Sequence, residues 1–201
     1  MDKLDHKKNG GGFASGEYWR KRSDMMYYRY LDYIIRSVGA KASSLIDVGS
    51  GNCPYLDWWD WIPERVSVDI RVPYSSEGVV GIQGDIFKLA FDKTFDLCTC
   101  FQVLEHVPDA EAFARRLLEL GELVIVSVPY KWGDKPRVTP GHVHDPVSYE
   151  KLTGWMGREA NYKIIVEEPF GRLKNKRLIA LYDKDPERTF GPGTGKGRII
   201  R

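Results

Sequence analysis

Ser44-Leu45-Ile46-Asp47-Val48-Gly49-Ser50-Gly51-Asn52-Cys53-Pro54 is an apolar run that ends on an acid and is followed at once by two close glycines. The run is short enough for a strand, and it is apolar on both faces, as in a parallel sheet covered on both sides. Gly49 and Gly51 can take backbone angles other residues avoid and leave room for a ligand against the chain. A ligand is therefore expected at the carboxyl end of a buried strand. A dinucleotide turn would carry a third glycine in G-x-G-x-x-G, but Pro54 occupies that place. A tight turn with no ligand is the plainest alternative.

The rest of the chain repeats this unit. Apolar runs recur at 66–70, 79–82, 95–101 and 123–128, with a helical segment over 109–120 introduced by Pro108-Asp109. Such alternation predicts right-handed βαβ units. A segment rich in Pro, Gly and His follows over 129–146, then a helix over 147–156. Two strands at about 162–169 and 176–182 have a connection short enough only for an antiparallel hairpin. Ahead of the first strand, Tyr27, Tyr30, Leu31, Ile34, Ile35 and Val38 recur at helical spacing, predicting one helix over 17–38 that Gly39 ends. Residues 1–15 are expected to be a disordered leader, 16–183 one domain with 16–39 as a lid helix, and 184–201 a flexible tail.

Composition bounds the function. The 201 residues suit one α/β domain. Thirty Lys and Arg against 28 Asp and Glu leave a net charge of +2, too near neutral to predict a nucleic-acid partner. The basic stretches 20–22, 172–177 and 196–201 are the features that favour one. No apolar run approaches the roughly 20 residues a spanning helix needs. The polar start is unlike a signal peptide. Three cysteines with no Cys-x-x-Cys argue against a disulfide framework or a zinc site, so a cytoplasmic location is the default.

The next two strand ends sharpen the ligand. Asp69 closes the second strand, 18 residues after Gly51, where a carboxylate can accept both hydroxyls of a ribose. Asp85-Ile86 follows the third strand, where the acid can accept from an exocyclic amine and the isoleucine can pack on a purine face. An acid at each of three successive strand ends, Asp47, Asp69 and Asp85, is a more specific signal than any one of them.

With these residues the chain resembles the class I S-adenosylmethionine-dependent methyltransferases, over about residues 40–183. Asp47-Val-Gly49-Ser50-Gly51 resembles the family's first motif, with Cys53 where a third glycine is usual. Asp69-Ile70 resembles its ribose-binding end, and Asp85-Ile86 its adenine edge. Phe101-Gln102-Val103-Leu104-Glu105-His106-Val107 resembles the segment after its fourth strand. The resemblance implies a Rossmann-like doubly wound α/β sheet of about seven strands, mostly parallel with an antiparallel last strand. It implies S-adenosyl-L-methionine as cofactor, with Tyr18 or Arg22 of the lid meeting the methionine carboxylate.

Methyl transfer from a sulfonium needs a positioned nucleophile and a group to take its proton. The candidates are Glu105 and His106 after the fourth strand and His142 and His144 on the loop after the fifth. A structural role for Glu105 and His106 is the competing reading. The same four residues could ligate a divalent ion, as in some relatives with an E-x-x-E-H segment. Gln102 replaces the first acid of that segment, and a neutral amide is a poorer ligand, so no metal is expected. The tryptophans at 58, 59 and 61 are expected to pack rather than to form a stacking platform. The expected activity is O-methylation of a small molecule by a monomer or homodimer. An RNA methyltransferase, a non-catalytic partner subunit and, more distantly, a dinucleotide oxidoreductase are the alternatives.

Overall fold

The computed structural model describes residues 19–132, 139, 141–170, 176–191 and 194. The expected leader and Tyr18 lie outside the described residues.

Seven strands form one sheet: β1 (Ser44–Val48), β2 (Glu64–Asp69), β3 (Val80–Gln83), β4 (Phe95–Phe101), β5 (Gly121–Pro129), β6 (Tyr162–Glu167) and β7 (Lys176–Asp183), in the order β3-β2-β1-β4-β5-β7-β6. β1 pairs in parallel with β2 and β4, and the β2–β3 and β4–β5 pairs are also parallel. β7 runs antiparallel to both β5 and β6. The doubly wound sheet expected from the sequence is therefore present, and its reversed strand is β7. Strand order turns back between β1 and β4, and in open α/β sheets the crevice beyond that point is where ligands sit.

Among the described residues, three α-helices of two turns or more cover the sheet: α1 (Met26–Val38), α2 (Ala110–Leu120) and α3 (Tyr149–Met156). Asp109 caps α2 by accepting from the Ala112 amide, and Ser148 caps α3 through the Lys151 amide. The period-2 alternation of β4 and β5 splits the core. Cys98, Cys100, Val124 and Val126 pack with Phe113, Ala114 and Leu117 of α2. Leu97, Leu123 and Ile125 pack with Leu31, Ile34 and Ile35 of α1.

The helix predicted over 17–38 is interrupted. Trp19 and Arg20 are helical, the chain turns over 21–24, and α1 begins at Met26. A distant acid sets this start. Both oxygens of Glu168, just past β6, accept from the first amides of α1, Met26 and Tyr27, each at 3.0 Å. An anion at orphan N–H groups stabilises a helix start there. Periodicity could not reveal it, because the partner is over 140 residues away.

The tail begins with a held segment rather than a free one. Asn161 Nδ2 donates to the carbonyls of Asp185, Pro186 and Arg188, and Lys184 pairs with Glu122. The tryptophans after the first motif pack as expected. Trp59 is buried and donates to Asp32, and Trp61 donates to the Gly39 carbonyl beneath the Arg36 guanidinium.

Candidate active site

β1 delivers Gly49 and Gly51 into the crevice, both with positive φ, +83° and +56°. Gly49 is required twice over. A Cβ there would stand 2.4 Å from Val103 Cγ2, on the segment after β4. Gly49→Ala is expected to combine left-handed strain of about 1–3 kcal/mol with that overlap. It should lower the melting temperature and weaken any ligand held by the loop. Cys53 needs no glycine, because its φ is −87°. Its side chain is buried beside Tyr55, and burial pushes its thiol up to about 12, so it is inert at neutral pH.

Asp47 is wholly buried, with Thr99 Oγ1 donating to one oxygen at 2.6 Å and Tyr55 Oη to the other at 2.8 Å. It ties β1 to β4 and to the 3₁₀ turn Pro54–Trp59 that follows the loop. Burial raises its pKa to about 7 in spite of those two donors. Ser50 is likewise inward, bonded to Ser67 Oγ at 2.6 Å. Both residues shape the loop from below.

Asp69 faces the loop. Its Oδ2 accepts from the Gly51 amide at 3.0 Å, and its Oδ1 from the Arg71 and Val72 amides at 2.7 and 3.0 Å. Ile70, beside it, is 68 % exposed, an apolar face with nothing packed on most of it. Asp85 lies at the neighbouring strand end, accepting from the Phe87 amide and 3.6 Å from Lys88 Nζ. Ile86, read from sequence as a purine contact, instead points into the α2 side of the core at 4 % exposure. Phe87, half exposed, is the apolar side chain left at that edge. Arg22 is near enough to the loop for its charge to act on Cys53.

Beyond β4 the chain takes another strained step at Gln102, φ +58°. Its amide donates to the Ser127 carbonyl at 2.9 Å and its side-chain Nε2 to Ser127 Oγ at 3.2 Å. Ser127 Oγ also meets Tyr27 Oη at 2.5 Å. Phe101 is buried against Tyr55, with ring centroids 5.8 Å apart.

The 3₁₀ turn Leu104–His106 then places Glu105 and His106. Glu105 is fully buried, and neither carboxylate oxygen makes a hydrogen bond among the described residues. Burial raises its pKa to about 8; its own amide opposes this, and the Asp145 charge adds to it. Glu105 Oε1 lies 3.8 Å from His106 Nε2. His106 Nδ1 meets the Gly141 carbonyl at 2.7 Å, which fixes the proton there and leaves Nε2 unprotonated in the neutral ring. Burial holds the His106 pKa below its usual value, with the Gly141 carbonyl opposing and His142 reinforcing. The ring stands edge-on to His142 at 4.7 Å. His142 Nδ1 bonds Asp145 Oδ1 at 2.8 Å. Burial alone would raise Asp145, but hydrogen bonds from His142 and Thr139 outweigh it and hold its pKa low. Ligand atoms of Glu105, His106 and His142 all lie within 4.8 Å of one another.

His144 does not join them. Its Nε2 meets the Val107 and Pro108 carbonyls at 2.8 and 3.2 Å, and its ring packs on Trp155. Tyr27, Ser127, Trp132, Asp145 and Arg177 surround the site but were not singled out from sequence. Ser127 carried a signal, being a hydroxyl within the otherwise apolar β5. Tyr27 carried none, since it shares the core period of α1.

Residues 46–120 match the family model for a methyltransferase domain. No curated protein sequence matches the chain. Among solved structures, the N-methyltransferase NodS from Bradyrhizobium japonicum WM9, complexed with S-adenosylhomocysteine, aligns with TM-score 0.62 at 14 % identity, over 85 % of this chain and 93 % of that one. The 1,6-didemethyltoxoflavin-N1-methyltransferase from Burkholderia thailandensis aligns with TM-score 0.61 at 16 % identity, over 81 % and 80 %. The small RNA methyltransferase HEN1 aligns with TM-score 0.57 at 20 % identity, over 85 % of this chain and 26 % of that one. Residues 46–120 thus match a methyltransferase domain, and the seven-stranded sheet with its reversed β7 has the Rossmann-like methyltransferase fold.

Proposed function

We propose that the protein methylates an oxygen of a small-molecule acceptor. The observation that carries this reading is the grouping of Glu105, His106 and His142 at the turning point of the sheet, beside the glycine loop. In this reading Asp69 accepts the ribose hydroxyls and Ile70 packs on the adenine. Asp85 accepts from the exocyclic amine, and Arg22 with Tyr18 meets the methionine carboxylate.

The acceptor oxygen attacks the methyl carbon in line. S-adenosylmethionine, held by these residues, would supply the methyl group and leave as S-adenosylhomocysteine, and the acceptor's hydroxyl proton passes to His106 Nε2. His106 is suited to this, because its lowered pKa keeps the ring neutral at pH 7 while Gly141 fixes the tautomer. Glu105 Oε1 lies 3.8 Å from that same nitrogen and, once ionised above about pH 8, would balance the imidazolium. His106→Asn should lower kcat about 100-fold with little change in cofactor affinity. For the wild type, kcat/KM should rise to a plateau through a pKa under 6.5. An unaltered pH profile in the Asn variant would rule His106 out as the base.

The same three residues also fit a divalent cation. Glu105 has two oxygens without hydrogen bonds among the described residues, and His106 and His142 each carry a second ring nitrogen besides the Nδ1 engaged by Gly141 or Asp145. The sequence expected no metal because of Gln102, but Gln102 is bonded to Ser127 and the trio assembles without it. A bound cation would supply Lewis-acid polarisation of the acceptor oxygen. Activity lost in a chelator and restored by Mg²⁺ or Mn²⁺ would assign the trio as its ligands. Full activity in the chelator would leave His106 acting alone. An RNA acceptor is supported by the HEN1 likeness, and methyl incorporation into a short RNA but into no small hydroxylated molecule would favour it.

A further inference from the structure

Arg177 is the second residue of β7, and in the ladder it stands opposite Pro129, the last residue of β5, and Val166 of β6. It therefore lies at the carboxyl edge of the sheet, on the side of the crevice away from the glycine loop. An arginine at the start of a strand reads as a solvated end, and the basic stretch 172–177 reads as surface. The structure places this guanidinium inside instead: its side chain is 9 % exposed.

What surrounds it is unusual for a buried cation. Two aromatic rings pack on it, Tyr27 at 5.0 Å and Trp132 at 5.2 Å from the guanidinium carbon to the ring centroids. Trp132 in turn stacks on His142, with ring planes 14° apart. Tyr27 is bonded to Ser127, which also holds Gln102. Arg177 is thus in continuous contact with the candidate catalytic residues.

Its charge is poorly answered. Nη1 is buried and makes no hydrogen bond among the described residues. The one acid paired with it among those residues, Glu168, stands off at 3.8 Å. Both Glu168 oxygens are already taken by the amides that open α1. The other acid in reach among the described residues is Glu105, and neither of its oxygens hydrogen-bonds the guanidinium. Buried charges are normally paired and hydrogen-bonded, and a guanidinium fork is shaped for the two oxygens of a carboxylate or phosphate. Stacking on Tyr27 and Trp132 fixes the plane of that fork.

We propose that Arg177 is the specificity residue of the acceptor pocket, and that the acceptor is a small molecule carrying a carboxylate or phosphate which Arg177 grips while its hydroxyl is presented to His106. This rests on the small-molecule reading above. Uncharged analogues would leave Arg177 buried and unanswered, so discrimination comes from the penalty on the wrong acceptor as well as from the bond to the right one.

The test uses the whole protein, bare and loaded with S-adenosylhomocysteine, with inorganic phosphate, benzoate and neutral benzamide as probes. Calorimetry and intrinsic tryptophan fluorescence follow binding. Wild type should bind phosphate or benzoate saturably and benzamide at least about 10-fold more weakly. Arg177→Met should weaken the anion about 30-fold, and Arg177→Lys should recover only part, since it restores charge without the fork. Both variants should bind S-adenosylhomocysteine as wild type does, which checks their folding and keeps the cofactor reading separate. Whichever of phosphate and benzoate binds more tightly tells phosphate from carboxylate. Equal binding of benzamide, no saturable anion binding by wild type, or undiminished binding in a variant that still takes S-adenosylhomocysteine overturns the proposal. Tighter binding of a short RNA than of either anion, lost with Arg177, overturns the small-molecule assignment.

Discussion

Asp69→Ala is expected to weaken S-adenosylhomocysteine binding by at least about 100-fold. Two charge-assisted hydrogen bonds to a ribose, at about 1.5–3 kcal/mol each, account for that much. The structure adds a second route to the same loss. Asp69 accepts from the Gly51 amide, so its carboxylate also holds the glycine loop in place. Removing it frees that amide and the Arg71 and Val72 amides together. Asp69→Asn separates the two effects. The amide oxygen can still accept from Gly51, while the charge that strengthens the ribose bonds is gone, so an intermediate loss of about 10-fold is expected. Calorimetric titration of wild type and both variants reads this directly. Wild-type affinity in Asp69→Ala would remove the ribose from this strand end and, with it, the assignment of the crevice to the nucleoside.

The strand-end residues proposed for the cofactor side were legible in the sequence because each follows a local rule. Gly49, Gly51, Asp69 and Asp85 follow apolar runs at fixed offsets, and the structure puts all four at the carboxyl edge of β1, β2 and β3. Where local rules end, so did the reading. Ile86 sits one residue past an acid like Ile70, yet the first is 4 % and the second 68 % exposed. Only the turn after β3 decides which faces the core. Cys53 looked like a missing glycine, but its backbone is extended and asks for none. The proposed acceptor side was largely illegible, because its residues come from four distant places. Tyr27, Ser127, Trp132 and Arg177 meet through the β5–β7 register and through Glu168 holding the start of α1. His142 and His144 are two residues apart and read alike. One faces His106 and the other pins the loop to the Val107 carbonyl.

Glu105→Gln is expected to make the protein both more stable and less active at alkaline pH. The wild-type carboxyl is raised from 4.5 to about 8 by burial, so the folded state holds its proton where the unfolded chain has released it. Stability from this group is complete below about pH 4.5 and drains away as pH climbs toward 8, on the order of 1.4 kcal/mol per pH unit within that window. Asp47 behaves in the same direction, but its window closes near pH 7. The fall between pH 7 and 8 therefore belongs to Glu105. Glutamine has the same shape and no charge to bury, so the variant should lose that part of the slope. In chelator, its melting temperature at pH 8.5 should exceed wild type by about 5–10 °C, while at pH 4 the two should agree. If a divalent cation occupies the trio, adding Mg²⁺ or Mn²⁺ should flatten the wild-type slope and leave the variant unmoved, because only an ionised Glu105 gains from the ion. The stabilising change should still lower kcat above about pH 8, where an ionised wild-type Glu105 can balance a protonated His106 and the amide cannot. A wild-type melting temperature that is level from pH 7 to 8.5 in chelator would show that Glu105 is already ionised there.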